Sequence, residues 1–247
     1  MIYIKLFGGL GNQLFQYAYG RCLRDRGQAV KYIANLRSSD FVNVFETKQS
    51  EIAACRNEFE LALRKAYAKF FASEYLTGFY QLPEYAEVVR TDLHFLRYHE
   101  YIATSFYAEI AGEAKSVGIH VRGGDYLDKG GYKQFGSVCD GDYYKRAIAC
   151  IESHIDHPRY FVFTNDREHA ERVLPSGLVK ESAFRGDKEF ENDPGFDLFL
   201  MSRCANNIIA NSTYSWWGSF LNERPGQIVV APDKWIEGIC PRSWILV

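Results

Sequence analysis

Residues 120–126 read His-Val-Arg-Gly-Gly-Asp-Tyr and bring an imidazole, a guanidinium and a carboxylate into one short segment. The segment follows and overlaps a mainly apolar run, 117–121, which is typical of a buried β-strand. A guanidinium at a strand end suits a phosphate, because it is always charged and presents paired planar donors. The two glycines let backbone N–H groups approach the same anion. Taken alone, the segment is explained equally well by a salt bridge from Arg122 to a neighbouring helix.

Four other apolar runs also end in polar turns; they span 2–6, 160–163, 207–210 and 228–230. Near-continuous apolar strands separated by helices predict a parallel sheet that is covered on both faces. In such sheets a ligand binds in the crevice at the carboxyl ends of the strands. The polar residues of these turns are therefore candidate ligand contacts.

The turn after the first strand is rich in glycine and reads Gly-Gly-Leu-Gly-Asn-Gln-Leu over 8–14. It departs from the dinucleotide-binding fingerprint, because Leu14 takes the third glycine position and no Walker lysine follows. A glycine-rich turn into a helix still presents N–H groups and a helix dipole that favour an anion or a sugar oxygen. Gly9, Gly11 and Asn12 are therefore candidate ligand residues. For Asn12 alone, capping of the helix is the favoured alternative.

Two further turns carry polar groups that are suited to a nucleotide. Residues 211–215, Asn-Ser-Thr-Tyr-Ser, lead into a helix predicted at 218–222. Their hydroxyl groups suit a diphosphate, and an elaborate helix cap is an equally good interpretation. Asp166 ends another strand, where it can accept hydrogen bonds from a base or ribose or cap the next helix. Residues 140–142, Asp-Gly-Asp, have the spacing of a metal-binding motif, but a helix cap at Asp142 is the simpler interpretation.

The composition is that of an ordinary globular chain of 247 residues, long enough for one large or two small cores. The net charge of −2 offers no electrostatic footprint for nucleic acid. Six cysteines are scattered singly without zinc spacing, which indicates reduced residues of a cytoplasmic protein. We expect no signal peptide, since a strand begins at Ile2, and no membrane span, since the apolar runs are far shorter than ~20 residues.

Along the chain we expect an N-terminal α/β unit, a mostly helical stretch at 41–106, and a second α/β unit. The predicted domains are 1–114 and 115–247. Helices are predicted from Asn12 to a C-terminal cap at Gly27, over 143–155, and over 197–204.

Taken together, these segments resemble glycosyltransferase family 11, the bacterial and animal α-1,2-fucosyltransferases. Residues 8–18 resemble the N-terminal motif of the family, 120–126 its HxRRGDY motif, and 197–204 with 208–221 its C-terminal motif. The motifs occur in the order of the family, and this combination is much more specific than any one of them. The chain departs from the pattern at Gly123, which replaces the second arginine and removes one charge. It is also short for the family.

The resemblance implies a GT-B-like α/β fold of two facing Rossmann-type units with parallel sheets, the first for the acceptor and the second for the donor. It implies inverting transfer of fucose from GDP-fucose to an oligosaccharide or lipid-linked glycan, with O2 of a galactoside as the expected acceptor position. It implies no cofactor and no metal ion. The donor-binding residues that it implies are Gly9, Gly11, Asn12, His120, Arg122, Asp166, Asn211, Ser212, Thr213 and Ser215.

In the expected reaction Arg122 stabilises the charge that develops on the leaving diphosphate. Asp125 is the candidate base for the acceptor hydroxyl because it is close to Arg122, or else it orients that arginine. Asp128 and Asp40 are weaker candidates. Two other functions stay open: a related transferase that uses another nucleotide sugar, favoured by Gly123, and a non-catalytic nucleotide-sugar or glycan-binding protein. Peripheral association with a membrane is compatible with this sequence.

Overall fold

A computed structural model describes residues 1–35, 40–46, 51–71, 74–96, 98, 113–123, 138–176, 178, 183–184 and 193–247. The chain divides into two compact units, Met1–Arg97 and Tyr98–Val247. Each unit contains a parallel sheet whose strands alternate with helices along the chain, so the predicted α/β class with parallel sheets is confirmed. A boundary at 114/115 stays a prediction, because 99–112 lie outside the described residues.

The first unit is built on a four-stranded parallel sheet in the order β3-β2-β1-β4. Its strands are β1 (Ile2–Lys5), β2 (Val30–Asn35), β3 (Ile52–Cys55) and β4 (Glu74–Leu76). Its helices are α1 (Leu10–Asp25), α2 (Phe41–Val44), α3 (Glu58–Phe71) and α4 (Pro83–Glu87). The stretch predicted as mostly helical therefore also supplies two strands to this sheet.

The prediction misses β3 and β4 because neither strand carries a long apolar run. Both lie at the edges of the sheet, where only one neighbouring strand pairs with them. Strand β3 reads Ile-Ala-Ala-Cys, and alanine is a poor strand former. Strand β4 has three residues and begins with the exposed Glu74. Such short edge strands form because the sheet beside them offers hydrogen-bonding partners.

Helix α1 ends as the sequence predicts. Gly27 adopts a φ of 80°, which favours glycine, and its N–H donates to the carbonyl of Arg24 over 2.8 Å. Further up the helix, a β-carbon at Gly20 would lie 2.5 Å from the ring of Tyr32. The Tyr32 hydroxyl donates to the carbonyl of Tyr17 over 2.8 Å. A glycine at position 20 therefore allows α1 to pack closely on β2.

The second unit contains a six-stranded parallel sheet in the order β10-β9-β8-β5-β6-β7. Its strands are β5 (Ser116–Val121), β6 (Arg159–Thr164), β7 (Ala183–Phe184), β8 (Asn206–Ile208), β9 (Val229–Ala231) and β10 (Ile245–Leu246). Its helices are α5 (Gly141–His154), α6 (Arg167–Val173), α7 (Pro194–Arg203) and α8 (Thr213–Phe220). The strands predicted here from apolar runs are confirmed as β5, β6, β8 and β9.

Strand β5 lies at the centre of this sheet, and all six of its residues are buried. From β5 the described strands proceed outward through β6 to β7, and then return to the other side of β5 as β8. The strand order therefore reverses between β5 and β8. Such a reversal opens a crevice at the carboxyl ends of the two strands, where ligands bind in open α/β sheets.

Two adjacent tyrosines at the start of α5 hold the strand ends beside this crevice. The hydroxyl of Tyr144 donates to the carbonyl of His120, at the end of β5, over 2.9 Å. The hydroxyl of Tyr143 donates to the carbonyl of Ile209, just after β8, over 2.5 Å. Both rings are fully buried. Helix α5 therefore fixes both sides of the crevice through hydrogen bonds that water does not reach.

The start of α5 corrects one prediction. The N-cap is Asp140, whose carboxylate accepts the N–H of Tyr143 over 2.9 Å. Asp142 lies inside the first turn, where it pairs with Lys145. Helices α7 and α8 likewise begin earlier than predicted, at Pro194 and Thr213.

In the part of the chain that the structure describes, no helix combines the length and the hydrophobicity that a membrane span requires.

We expect Tyr144→Phe to lower the free energy of unfolding by about 1–3 kcal/mol, because the buried carbonyl of His120 loses a hydrogen bond. Urea-induced unfolding followed by circular dichroism measures this change. Tyr160→Phe is the matched control. The Tyr160 hydroxyl makes a long 3.4 Å hydrogen bond to Glu152 at the surface, and its loss should change stability by less than ~0.5 kcal/mol. Equal effects of the two changes would contradict the anchoring role.

Candidate functional site

Three polar turns leave the second sheet from neighbouring strand ends. Arg122 follows β5, Asp166 follows β6, and the segment 211–213 follows β8. Strand β5 lies between β8 and β6, so all three turns emerge at the same edge of the sheet. The structure therefore brings these predicted site residues together at the point where the strand order reverses.

The backbone beside Arg122 is held tightly against the end of β6. The N–H of Gly123 donates to Oδ1 of Asn165 over 2.9 Å. A β-carbon at Gly123 would lie 2.4 Å from Cβ of Asp166, which is closer than atoms can approach. Arg122 itself is half-buried. The guanidinium is therefore attached to a backbone segment that has little freedom to move.

Asp166 is the N-cap of α6, as the alternative interpretation of this residue proposes. Its Oδ1 accepts the N–H of His169 over 2.9 Å. Its own N–H donates to the hydroxyl oxygen of Thr164, and that hydroxyl donates to the Asp166 carbonyl, both over 3.0 Å. These bonds define a rigid turn, and contact of Asp166 with a nucleotide stays a prediction.

His120 lies at the end of β5 with only 5% of its surface exposed. Burial, and to a smaller extent the charge of Arg122, lower the pKa of His120 to about 3, so the imidazole is neutral near pH 7. Its Nδ1 atom is buried without a hydrogen-bond partner in the described structure. The ring of Tyr214 lies beside it, with 5.7 Å between the ring centres. A buried nitrogen that lacks a partner is costly, and a ligand group at this position would satisfy it.

The residues of the turn after β8 fall into two groups, those whose hydrogen bonds stabilise the turn and those at the start of α8. Ser215 is fully buried, and its hydroxyl lies 3.2 Å from the carbonyl oxygen of Ser212, to which it donates. The N–H of Asn211 donates to the Cys139 sulfur over 3.3 Å. Ser212 is the N-cap of α8, but its side chain makes no capping hydrogen bond. Thr213 is the first residue of that helix. Asn211 and Ser215 therefore stabilise the turn, while Ser212 and Thr213 lie where backbone N–H groups favour an anion.

In the first unit, the glycine-rich turn is held by two buried glutamines. Gln13 donates through its side chain to the carbonyl of Gly8 over 2.7 Å. Gln16 accepts the N–H of Phe7 over 2.9 Å and donates to the carbonyl of the same residue. Sequence reasoning assigned no role to these glutamines, although each is fully buried. Gly9 is exposed, with open space where a β-carbon would be.

The prediction that Asn12 caps α1 is wrong. The N-cap is Gly9, so Asn12 lies within the first turn, next to the buried Gly11. Its Oδ1 accepts a hydrogen bond from the side chain of Gln81 over 2.8 Å. The helix begins earlier than the sequence indicates because glycine supplies the extended backbone of the cap. Contact of Asn12 with a ligand stays a prediction.

The candidate bases are placed only in part. Asp125 and Asp128 lie outside the described residues, so their roles stay predictions. Asp40 precedes α2 in the first unit and makes no capping hydrogen bond with its side chain. Within the described residues, no group of three or more His, Cys, Asp or Glu side chains is arranged to hold a metal ion.

A family model described as Glycosyl transferase family 11 matches residues 41–238, which is more than half of the chain. The chain belongs to glycosyl transferase family 11. The O-antigen biosynthesis glycosyltransferase WbnK of Escherichia coli is 30% identical, with 99% of each chain covered. An alpha-1,2-colitosyltransferase of Escherichia coli is 25% identical over 100% of this chain and 99% of that protein. The human galactoside alpha-(1,2)-fucosyltransferase 1 is 29% identical over 42% of this chain and 28% of its own length.

Solved structures of glycosyltransferases share the fold of this family 11 member. The NodZ alpha-1,6-fucosyltransferase co-crystallised with GDP has a TM-score of 0.57 at 14% identity, with 95% of each chain covered. The ADP-heptose LPS heptosyltransferase II of E. coli has a TM-score of 0.55 at 11% identity over 100% of this chain and 89% of that chain. The predicted GT-B-like fold class is thereby confirmed.

The departure of this chain from the family 11 motif at position 123 has a steric basis. The motif carries a second arginine where this chain has Gly123. Here Asp166 occupies the space that any side chain at 123 would need. In this family 11 member the second charge is therefore replaced by a close contact between the Gly123 backbone and the Asp166 side chain.

We expect Gly123→Ala to lower the free energy of unfolding by about 1–3 kcal/mol, since the new methyl group must displace the Asp166 side chain and weaken its cap on α6. The measurement is urea unfolding followed by tryptophan fluorescence. Gly9→Ala is the control, because its φ of −67° and its open surroundings accept a β-carbon, so the loss should stay below ~1 kcal/mol, the usual cost of alanine at an N-cap. A stable Gly123→Ala protein would show that the contact is not a constraint.

The lowered pKa of His120 predicts a pH-dependent stability. The unfolded chain binds this proton near pH 6.5 and the folded chain only near pH 3, so the stabilisation is present above pH 6.5 and is lost as the pH falls. Between these values the group contributes about 1.4 kcal/mol per pH unit. His120→Gln removes this proton-binding group, so the unfolding free energy of wild type minus that of the variant should fall by this amount for each pH unit of acidification in urea unfolding at pH 4–6. Parallel pH profiles would argue against a neutral buried imidazole.

Proposed function

We propose that this glycosyltransferase moves fucose from GDP-fucose to a hydroxyl group of a glycan acceptor, with inversion at the anomeric carbon and O2 of a galactoside as the acceptor position. One observation carries the proposal: the half-buried Arg122 stands at the reversal of strand order, beside the turns after β6 and β8. The family assignment supports sugar transfer. Two relatives, an alpha-1,2-colitosyltransferase and a galactoside alpha-(1,2)-fucosyltransferase, support an α-1,2 linkage.

In the proposed mechanism, the main task of the second unit is to stabilise the departing GDP. As the bond to fucose breaks, the diphosphate gains negative charge, which Arg122 and the N–H groups at the start of α8 would offset. His120 is neutral, so it offers one donor and one acceptor nitrogen to the nucleotide rather than a second charge. Asp125 would take the proton of the acceptor hydroxyl.

The proposal includes three further expectations. The reaction needs no cofactor and no divalent ion, since Arg122 offsets the charge that a metal ion would otherwise offset. The acceptor is an oligosaccharide or a lipid-linked glycan. The protein works in the cytoplasm. Transfer should therefore proceed unchanged in EDTA, and its arrest by EDTA with recovery on addition of Mg²⁺ or Mn²⁺ would contradict metal independence.

A second candidate differs only in the sugar. The relative named alpha-1,2-colitosyltransferase matches this chain over its whole length, and Gly123 removes a charge that the family motif provides. Incubation with GDP-fucose or GDP-colitose, each with a galactoside acceptor, separates the two candidates by product mass. Turnover only with GDP-colitose would replace the first proposal. Tight GDP binding without turnover on a broad acceptor panel would indicate a binding protein.

We expect Arg122→Ala to lower kcat/KM by about 10²–10³-fold, corresponding to roughly 3–4 kcal/mol of lost transition-state stabilisation, with the fold intact. Arg122→Lys should recover only part of the rate, because lysine keeps the charge but not the paired donors. The measurement is GDP release together with the mass of the product.

The matched control for this change is Arg167→Ala. Arg167 is an exposed arginine of α6 whose ion pair with Glu171 lies at the surface. Its removal should leave the rate within about twofold of wild type, since exposed pairs contribute little. Wild-type kinetics in Arg122→Ala, with circular dichroism unchanged, would exclude the proposed role of that arginine.

A further inference from the structure

Helix α3 of the first unit presents an unusual amount of apolar surface to solvent. Its exposed apolar stripe consists of Phe59, Leu63, Tyr67, Phe70 and Phe71. Phe70 is 83% exposed and Phe71 is 73% exposed, whereas phenylalanine side chains are usually buried. The opposite face, with Leu61 and Ala68, is buried in the core of the unit. Packing among the described residues of the unit therefore accounts for one face of α3 but not for the other.

The stripe is continuous along one side of the helix. At ~100° per residue, Phe59, Leu63, Tyr67 and Phe70 fall within an arc of about 80°. Arg64 lies beyond one edge of this arc and Lys69 beyond the other. An apolar stripe with cations along both edges is the pattern of a helix that lies in the interface of a bilayer.

The cations of this helix follow its first turn. Helix α3 begins with two glutamates, Glu58 and Glu60, and then carries three cations, Arg64, Lys65 and Lys69, with no further carboxylate up to Phe71. Long basic side chains can lie along apolar surface while their charged ends reach toward phosphates. Anionic lipid headgroups are complementary to such a segment, and each cation near them contributes ~1 kcal/mol.

A second copy of this chain fits the stripe less well. A helix of 14 residues is ~21 Å long, and a strip ~10 Å wide along it offers about 200 Å². A stable protein interface needs ~800 Å² from each partner. Lysine is also depleted at protein interfaces, whereas Lys69 flanks this stripe.

We propose that the apolar stripe of α3 is a membrane-docking face, which inserts its aromatic side chains into the headgroup region of a bilayer that contains anionic lipid. The proposal rests on this helix alone and does not depend on the sugar donor or the acceptor. A bound lipid surface would accommodate the stripe and its flanking cations together.

Co-sedimentation of the full chain with vesicles tests the proposal. We expect binding to vesicles of phosphatidylcholine mixed with phosphatidylglycerol, and at least about tenfold weaker partitioning for Phe70→Ser/Phe71→Ser. Arg64→Gln/Lys69→Gln should weaken binding about fivefold for each charge removed, on the mixed vesicles only. Ile236→Ser is the matched control, since this side chain is also apolar and exposed but belongs to the second unit; it should bind like wild type.

Three results would overturn the proposal: no binding of wild type to the mixed vesicles, equal binding by wild type and Phe70→Ser/Phe71→Ser, or a wild-type dimer in analytical ultracentrifugation that this double variant dissociates. Transfer to a water-soluble acceptor should be the same in wild type and all three variants. Vesicle binding and sugar transfer are therefore measured separately, and failure of either leaves the other test valid.

Discussion

The site in the second unit depends on how closely two strand ends approach each other. At Gly123 there is room for a hydrogen atom but not for a carbon, because Asp166 lies against it. The N–H of the same glycine is bonded to Asn165. The backbone next to Arg122 is therefore held by contacts within the protein, which in the proposed mechanism would limit how far that charge must reorient to stabilise the transition state. Since Asp166 also caps α6, the arginine, the strand end and the helix are positioned together.

Burial determines the electrostatics around that arginine. His120 is neutral because it is removed from water, so it adds hydrogen-bonding capacity without a second positive charge. Tyr143 and Tyr144 of α5 bind the ends of β8 and β5 through hydrogen bonds from their hydroxyl groups to backbone carbonyls. Both tyrosines are fully buried. Hydrogen bonds shielded from water resist competition, so the crevice keeps its form through side chains that need not touch a ligand.

The sequence predicted β1, β5, β6, β8 and β9 and the turns that follow them, because buried parallel strands leave a clear apolar run. It did not predict β2, where Lys31 interrupts the apolar run. It also missed the edge strands β3, β4, β7 and β10, whose pairing is determined by the neighbouring strand rather than by their own residues. It placed helix caps at Asn12 and Asp142, whereas the N-caps are Gly9 and Asp140, because a cap is defined by backbone conformation. Asn165 was missed because its bond reaches a residue 42 positions away.

The contact between Cys139 and the turn after β8 has a consequence for thiol chemistry. The sulfur receives the N–H of Asn211, and burial raises the pKa of Cys139 to about 12, so the reactive thiolate is scarce at neutral pH. Alkylating reagents and oxidants should reach this sulfur only when the turn opens. The rate at which Cys139 is labelled therefore reports local opening at the edge of the crevice, without an engineered probe.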